Sequence, residues 1–302
     1  MTGTSVPRVV VVSRPTEYAA LLARHGTREQ ARFFLESRGR TIDQAVARDE
    51  AQRSALTVIA AGIPPDWRRA RVDRTDLDRF LFEPGDIVVT VGSSGLVANV
   101  AKYLDGQLVI GVNPDPSVHA GIVAGHAPGA APALIRAAAA GTVIVDERVM
   151  VEAVLDDGQR TLALNEIFVG HASHQTARYT LQCPSGEERQ ASSGIVVTTG
   201  TGASGWGRSI ATERHSPMTL PMPEEPCLAF FVREAWPSGT YGAGITEGRL
   251  DAGTGLLVTS GLDDGGVVFG DGIEADRLEF RWGVTARIHV ARERLRLVAA
   301  AA

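Results

Sequence analysis

Two short segments carry the residue types best suited to chemistry: Ala163-Leu164-Asn165-Glu166-Ile167, and the run from Ser193-Gly194 through Thr198-Thr199-Gly200-Thr201-Gly202-Ala203-Ser204. Each is an apolar strand signal that runs into polar or glycine-rich residues, the way a sheet delivers functional groups to the mouth of a cleft. Adjacent Asn165 and Glu166 set an amide beside a carboxylate, a pair able to divide a base and a ribose between them; the same pair also suits a plain turn with the carboxylate in solvent. In the second segment Thr199, Thr201 and Ser204 place hydroxyls among glycines. Gly200-x-Gly202-x-x-Gly205 has the spacing of a dinucleotide fingerprint, in which glycines let backbone amides approach a pyrophosphate. That fingerprint requires strand, tight turn and helix inside one βαβ unit, and Trp206-Gly207 is a poor helix opening. A polar turn between strands and a hydroxyl-lined nucleotide loop of another architecture are the alternatives. A nucleotide is the ligand class to which the two segments together point.

Gly92-Ser93-Ser94-Gly95 stands between the β-branched run 87–91 and a helical pattern over 96–104. Strand, glycine turn and helix form a phosphate cradle, because turn and helix N-terminus both present free amides. It is not a Walker loop, since the Gly-Lys-Ser/Thr ending is absent. Asn113-Pro114-Asp115-Pro116 closes the next strand, 107–112, and puts Asp115 beside the same sheet edge. His171-x-x-His174 could meet a metal on a helix face, yet Gly170, Ala172 and Ser173 suggest a turn and no carboxylate completes a zinc-protease pattern. A loop that positions a ligand or a partner subunit is the other reading. Gly202-Ala203-Ser204-Gly205 is one residue short of a nucleophile elbow.

The elements that must position these residues change in texture along the chain. Residues 8–13 form a strand buried on both faces, 16–38 one or two amphipathic helices, and 42–60 a further helix stopped by Gly62 and Pro64-Pro65. The basic run Trp67-Arg68-Arg69-Ala70-Arg71 lies among Asp66, Asp73, Asp76 and Asp78 and reads as a solvated mixed-charge face rather than a phosphate patch. Thr75-x-x-Asp78 has the form of a capping box. Beyond Gly121 come a small alanine-rich helix over 132–140 and strands over 142–155, 161–169, 177–183, 194–199, 227–232, 256–260, 267–269, 278–282 and 286–290. The expected fold class is therefore α/β: an open parallel-sheet α/β domain, then a β-rich, sandwich-like domain.

Composition bounds the function. A chain of 302 residues, 44% hydrophobic and 22% charged, is ordinary for a globular protein of one or two domains. A net charge of −5 lacks the excess of Lys and Arg that a general nucleic-acid or anionic-membrane binder needs. Cys183 and Cys227 support neither a disulfide framework nor a zinc ribbon, and a cytoplasmic setting is the expectation. Met1 to Pro7 lacks a secretory pattern, and no apolar run approaches membrane-spanning length.

Taken in order, Gly92-Ser93-Ser94-Gly95, Gly111-Val112-Asn113-Pro114-Asp115-Pro116, Ala163-Leu164-Asn165-Glu166, Ser193-Gly194 through Ser204, and Val268-Phe269-Gly270-Asp271-Gly272-Ile273-Glu274-Ala275-Asp276 resemble the NAD kinase family over roughly residues 85–290. The Asn-Pro-Asp-Pro form and the Ser-Gly opening are most similar to the branch of the animal mitochondrial enzyme. The resemblance implies a nucleotide-binding α/β domain over 1–121, to which 285–302 returns, and a β-rich NAD-binding domain over 122–284. It implies transfer of a phosphoryl group from ATP or polyphosphate, with Mg²⁺, to the 2′-hydroxyl of the adenosine ribose of NAD. In that picture Gly92, Ser93, Gly95 and Asn99 face the donor phosphates. Asn165, Glu166, Ser193, Thr199, Thr201, Gly202, Ser204 and Trp206 hold NAD, no protein metal ligand is expected, and the β-rich domain assembles a homodimer or larger homo-oligomer.

One departure bears on catalysis. The family's glycine turn carries an aspartate before its last glycine, and the matching residue is Ser94, which cannot serve as a carboxylate base at neutral pH. Asp115 is the candidate replacement. The alternatives are a catalytically impaired protein that binds NAD or NADP, a kinase acting on another nucleoside-like acceptor, and a turn disabled to trap a complex.

Overall fold

A computed structural model describes residues 6–115 and 123–299. Pro116 and Gly121, the first five residues and the alanine tail from 300 lie outside the described residues. The chain divides into two compact units, Met1–Asp146 with Arg296–Ala302, and Glu147–Leu295.

In the first unit, strand β1 (Arg8–Ser13) is followed by helices α1 (Glu17–His25), α2 (Arg28–Glu36) and α3 (Ile42–Gly62), then β2 (Arg68–Asp73), β3 (Ile87–Val91), α4 (Ser94–Ala101), β4 (Leu108–Val112) and α5 (Ala131–Ala139). The strands lie parallel in the order β2-β1-β3-β4. Val9 to Val12 are all buried, as a central strand covered on both faces requires. Val9, Val11, Ile87, Val89, Ile110 and Val112 form one core with Ile59 of α3 and Ile135 of α5. The residues 16–38 resolve into two helices, each opened by a threonine: Thr16 accepts from the Ala19 amide and Thr27 from the Gln30 amide.

The charged run at 67–71 is the solvated face expected, carried mostly by an edge strand whose exposed Arg68, Arg69 and Arg71 charge the open edge. Two sequence expectations change here. The turn after that strand is capped not by Thr75 but by Asp73, whose carboxylate accepts from the Thr75 amide at 2.9 Å. The unit also extends past residue 121 to Asp146, because α5 packs on the β1-β3-β4 core.

The second unit begins within β5 (Val145–Leu155) and continues through β6 (Arg160–Ala163), β7 (Glu166–His171), β8 (Ala177–Cys183), β9 (Gly186–Ser192), β10 (Gly194–Thr198), helix α6 (Trp206–Glu213), β11 (Cys227–Arg233), β12 (Glu247–Asp251), β13 (Gly255–Ser260), β14 (Gly266–Gly270), β15 (Leu278–Glu279) and most of β16 (Thr285–Val298). One antiparallel sheet has the order β12-β11-β10-β7-β14-β15; the other runs β16-β13-β8-β9, with β5 pairing β16 and β6. Their facing sides share a core that includes Ile167, Val169, Val197 and Phe230 from the first sheet and Leu181, Val258 and Ile288 from the second. The other side of the first sheet packs Phe168, Val196, Ala229 and Phe231 against Ile210 of α6.

Helix α6 corrects the reading of Trp206-Gly207. A glycine at the second helical position lowers propensity, but a Cβ there would sit 2.8 Å from Thr198 Cγ2, so close packing on β10 requires it. Strand β11 returns antiparallel to β10, so no βαβ dinucleotide unit forms. The expected strand over 161–169 is broken at Leu164-Asn165, and β9 and β12, too polar for the apolar-run criterion, escape sequence reading. No helix among the described residues is long and apolar enough to cross a membrane.

Candidate functional site

Each unit gathers part of the predicted constellation. In the second unit the break between β6 and β7 is stabilised by Asp271, whose carboxylate accepts from the Leu164 amide at 2.9 Å and the Asn165 amide at 2.7 Å. Asp271 itself adopts φ 53, in the left-handed region, and its own amide donates to the Glu166 carbonyl at 3.0 Å. Thr199 completes the turn: its amide donates to the Asn165 carbonyl at 2.9 Å and its hydroxyl to the Leu164 carbonyl at 2.6 Å. The same hydroxyl oxygen accepts from the Thr201 and Gly202 amides at 3.1 and 3.2 Å. Gly202 is sterically obligatory, since a Cβ would lie 2.2 Å from the Asn165 carbonyl oxygen.

What this knot leaves open is as informative as what it ties. The Thr201 hydroxyl is buried and has no hydrogen-bond partner among the described residues, a costly state that a bound polar group would relieve. The side chains of Asn165 and Glu166 are half-buried and make no hydrogen bond among the described residues. Burial, reinforced by the nearby Asp271 charge, pushes the Glu166 carboxyl up to about 7. It can therefore both donate and accept near neutrality, and a hydroxyl of a sugar can pair with either form. Asn165, Glu166, Thr199, Thr201 and Gly202 are thus brought together, and the exposed Ser204 is tied to them through its hydroxyl, which donates to the Thr201 carbonyl at 2.8 Å.

Ser193 and Trp206 sit differently. They line a cavity of about 540 Å³ with Phe168, His171, His174 and Arg233. The Phe168 ring lies over Gly170 and Gly194, where a Cβ would meet it at 2.5 and 2.7 Å, and Trp206 stacks on it at 6.1 Å with 12° between the ring planes. Arg233 lies over the Trp206 ring at 5.3 Å. His171 and His174 stand on a strand end and its turn, and His171 Nδ1 accepts from the Ser173 amide at 3.0 Å. That bond occupies one ring nitrogen. Among the described residues no group of three or more His, Cys, Asp or Glu side chains could hold a metal ion.

In the first unit the strand C-termini surround a second cavity of about 540 Å³, lined by Gly92, Ser93 and Asp115 together with Arg14, Arg48, Gln52 and Arg74. Helix α4 opens directly at Ser94, and its cap residue Ser93 makes no side-chain capping bond. The Ser94 hydroxyl turns away to the backbone and accepts from the Val123 amide at 3.3 Å. Gly95 is exposed, and neither it nor Ser94 lines the cavity. Asn99 is buried in α4 and acts at one remove: its side-chain oxygen accepts from Arg74 at 3.0 Å, and Arg74 lines the cavity. Asp115 is placed by an Asx turn in which its amide donates to Asn113 Oδ1 at 3.1 Å. The sequence reading missed all three arginines. Arg14 could have been found, since it follows the first strand at the edge where parallel sheets bind ligands; Arg74 was hidden with β2, and Arg48, inside a helix, carried no signal.

The chain is similar to the crystal structure of yeast NADH kinase complexed with NADH, with a TM-score of 0.59 over 98% of this chain and 84% of that one, at 12% identity. The fold is NAD-kinase-like. No family model matches the sequence, and no curated protein does. The NAD-kinase-like fold confirms the expected mixed architecture of a parallel-sheet unit and a β-rich unit.

Proposed function

We propose that this protein is an NAD kinase-like phosphotransferase that moves a phosphoryl group from ATP or polyphosphate to the 2′-hydroxyl of the adenosine ribose of NAD or NADH. One observation carries the reading. The Thr199–Ser204 loop is knotted onto the 164–166 turn so that a buried Thr201 hydroxyl with no partner among the described residues, an open Asn165 amide and a carboxyl near pH 7 remain for a ligand. These are groups suited to a ribose and a base, and the likeness to an NADH-bound kinase of the same fold supports the choice. Phosphoryl transfer rests on positioning and electrostatics, and each unit carries groups suited to one reactant. Mg²⁺ would arrive with the donor, held chiefly by phosphate oxygens; Glu17 and Asp115 line the first-unit cavity, and Asp115, beside the glycine turn, is the carboxylate assigned to contact the ion or to accept the ribose proton. Self-association through the β-rich unit belongs to the same reading.

The test is direct. Purified protein with NAD or NADH, ATP and Mg²⁺ is expected to form the phosphorylated dinucleotide, read with an NADP-specific dehydrogenase. Ser94→Asp is expected to accelerate it by roughly 10²-fold or more, the scale of a general base. A binding role without transfer has its own support, in that the Ser94 hydroxyl is committed to the Val123 amide. Measurable NAD binding with no product from the parent or from Ser94→Asp would replace the kinase reading with that one.

A further inference from the structure

Arg14, Arg48 and Arg74 come from three different elements, the end of β1, the middle of α3 and the residue after β2, yet they line one cavity beside Gly92 and Ser93. Bringing like charges into one concave volume is unfavourable unless something offsets them. The structure offsets them only in part, since Glu17 and Asp115 line the same cavity and leave three guanidinium groups against two carboxylates. Arg48 has a carboxylate only at 3.8 Å, from Glu17, which at 2.7 Å is closer to Arg40. Arg74 is held by the neutral Asn99 amide at 3.0 Å, and no described carboxylate pairs with Arg14, whose carbonyl is fixed by Gln52 at 2.8 Å. The neutral Asn99 amide fixes Arg74 without neutralising it and leaves its charge for a ligand. Guanidinium forks match phosphate oxygens in geometry as well as charge, and three of them facing one cavity suit an anion with several phosphates in a row.

We propose that Arg14, Arg48 and Arg74 hold the phosphate chain of the phosphoryl donor, so that the site reads the chain of phosphates itself. The proposal rests on the kinase reading for the word donor, but the binding it asserts does not. A dinucleotide pyrophosphate shares this chemistry, so the experiment must separate the two sources.

All three arginines are exposed, so their replacement leaves the core intact. Titration calorimetry of the full chain with sodium tripolyphosphate, in the absence of NAD, should show binding that weakens about tenfold or more in each of Arg14→Ala, Arg48→Ala and Arg74→Ala. Arg28→Ala, at the start of α2 and outside the cavity, should bind as the parent does. Absence of binding by the parent, or equal binding by all four variants, overturns the proposal. In the coupled assay the three variants should raise the donor KM and leave the KM for NAD unchanged. A rise in the KM for NAD instead would assign the arginines to the acceptor and overturn the proposal. Tripolyphosphate binding that depends on the arginines, without NADP formation, would uphold the site and remove the kinase reading; NADP formation with an unaltered donor KM would do the reverse.

Discussion

Glu166 is held in a state that costs the native protein stability. Its folded pKa, about 7, lies above the ordinary value of 4.5, first because burial disfavours the charged form and second because Asp271 adds a like charge. Below pH 4.5 both states hold the proton and the group is neutral to stability. As pH rises from there, the unfolded chain releases its proton first, so native stability falls until the folded carboxyl also ionises above pH 7. The loss amounts to roughly 3 kcal/mol at most, from 1.36 kcal/mol for each pKa unit. Glu166→Gln is therefore expected to match the parent in urea unfolding at pH 4 and to exceed its stability at pH 8, while binding NAD more weakly. Equal stability at both pH values would show that the carboxyl titrates normally. The place of Glu166 at a strand end was legible in the sequence, where an amide and a carboxylate meet an apolar run. Its shifted pKa was not, since the burial comes from distant segments and the repulsion from Asp271, remote in sequence.

At the scale of elements, the loop between β10 and α6 fails as a dinucleotide fingerprint and succeeds as something else. Its glycines make room for backbone: Gly202 abuts the Asn165 carbonyl, and at Gly200 a Cβ would lie 2.0 Å from the Met222 carbonyl carbon. Gly202→Ala is expected to destabilise the protein by about 2–3 kcal/mol, as overpacking does, and to weaken NAD binding. Gly129→Ala, in a helical turn where nothing lies within 4 Å of a Cβ, should do neither. Chemical denaturation and an NAD titration of the pair check this, and a tolerated Gly202→Ala would mean that the knot has slack. Sequence spacing located the loop, but helix propensity misplaced its exit, because packing of Gly207 on Thr198 outweighs a local preference. Apolar runs likewise exposed the buried strands and concealed the charged edges, β2 and β9, whose pairing depends on their neighbours and not on their own pattern.

For the whole molecule, the proposed reaction assigns its acceptor groups to one unit and its donor groups to the other, and ligand protection should divide with them. In hydrogen exchange, NAD alone is expected to protect amides at 164–166, 199–204 and 268–272, and tripolyphosphate alone those at 14–17 and 92–96. Protection of the first unit by NAD alone would contradict the assignment of acceptor groups to Asn165 and Glu166. The two-part architecture was readable from the change in texture along the chain. The extent of the first unit was not, because α5 lies in sequence beyond the last apparent α/β motif and is claimed by packing on the sheet.

The end of β16 belongs to the first unit: Arg296 and Leu297 pair in parallel with Leu108 and Val109, and the Val298 carbonyl meets the buried His126 Nε2 at 3.0 Å. During synthesis, β1 to β4 leave the ribosome while the strand that flanks β4 has still to be translated. The edge of β4 must wait through the production of the entire β-rich unit, with its backbone groups open to other chains. The parallel sheet is thus the first part of the protein to be made and cannot be the first to be finished.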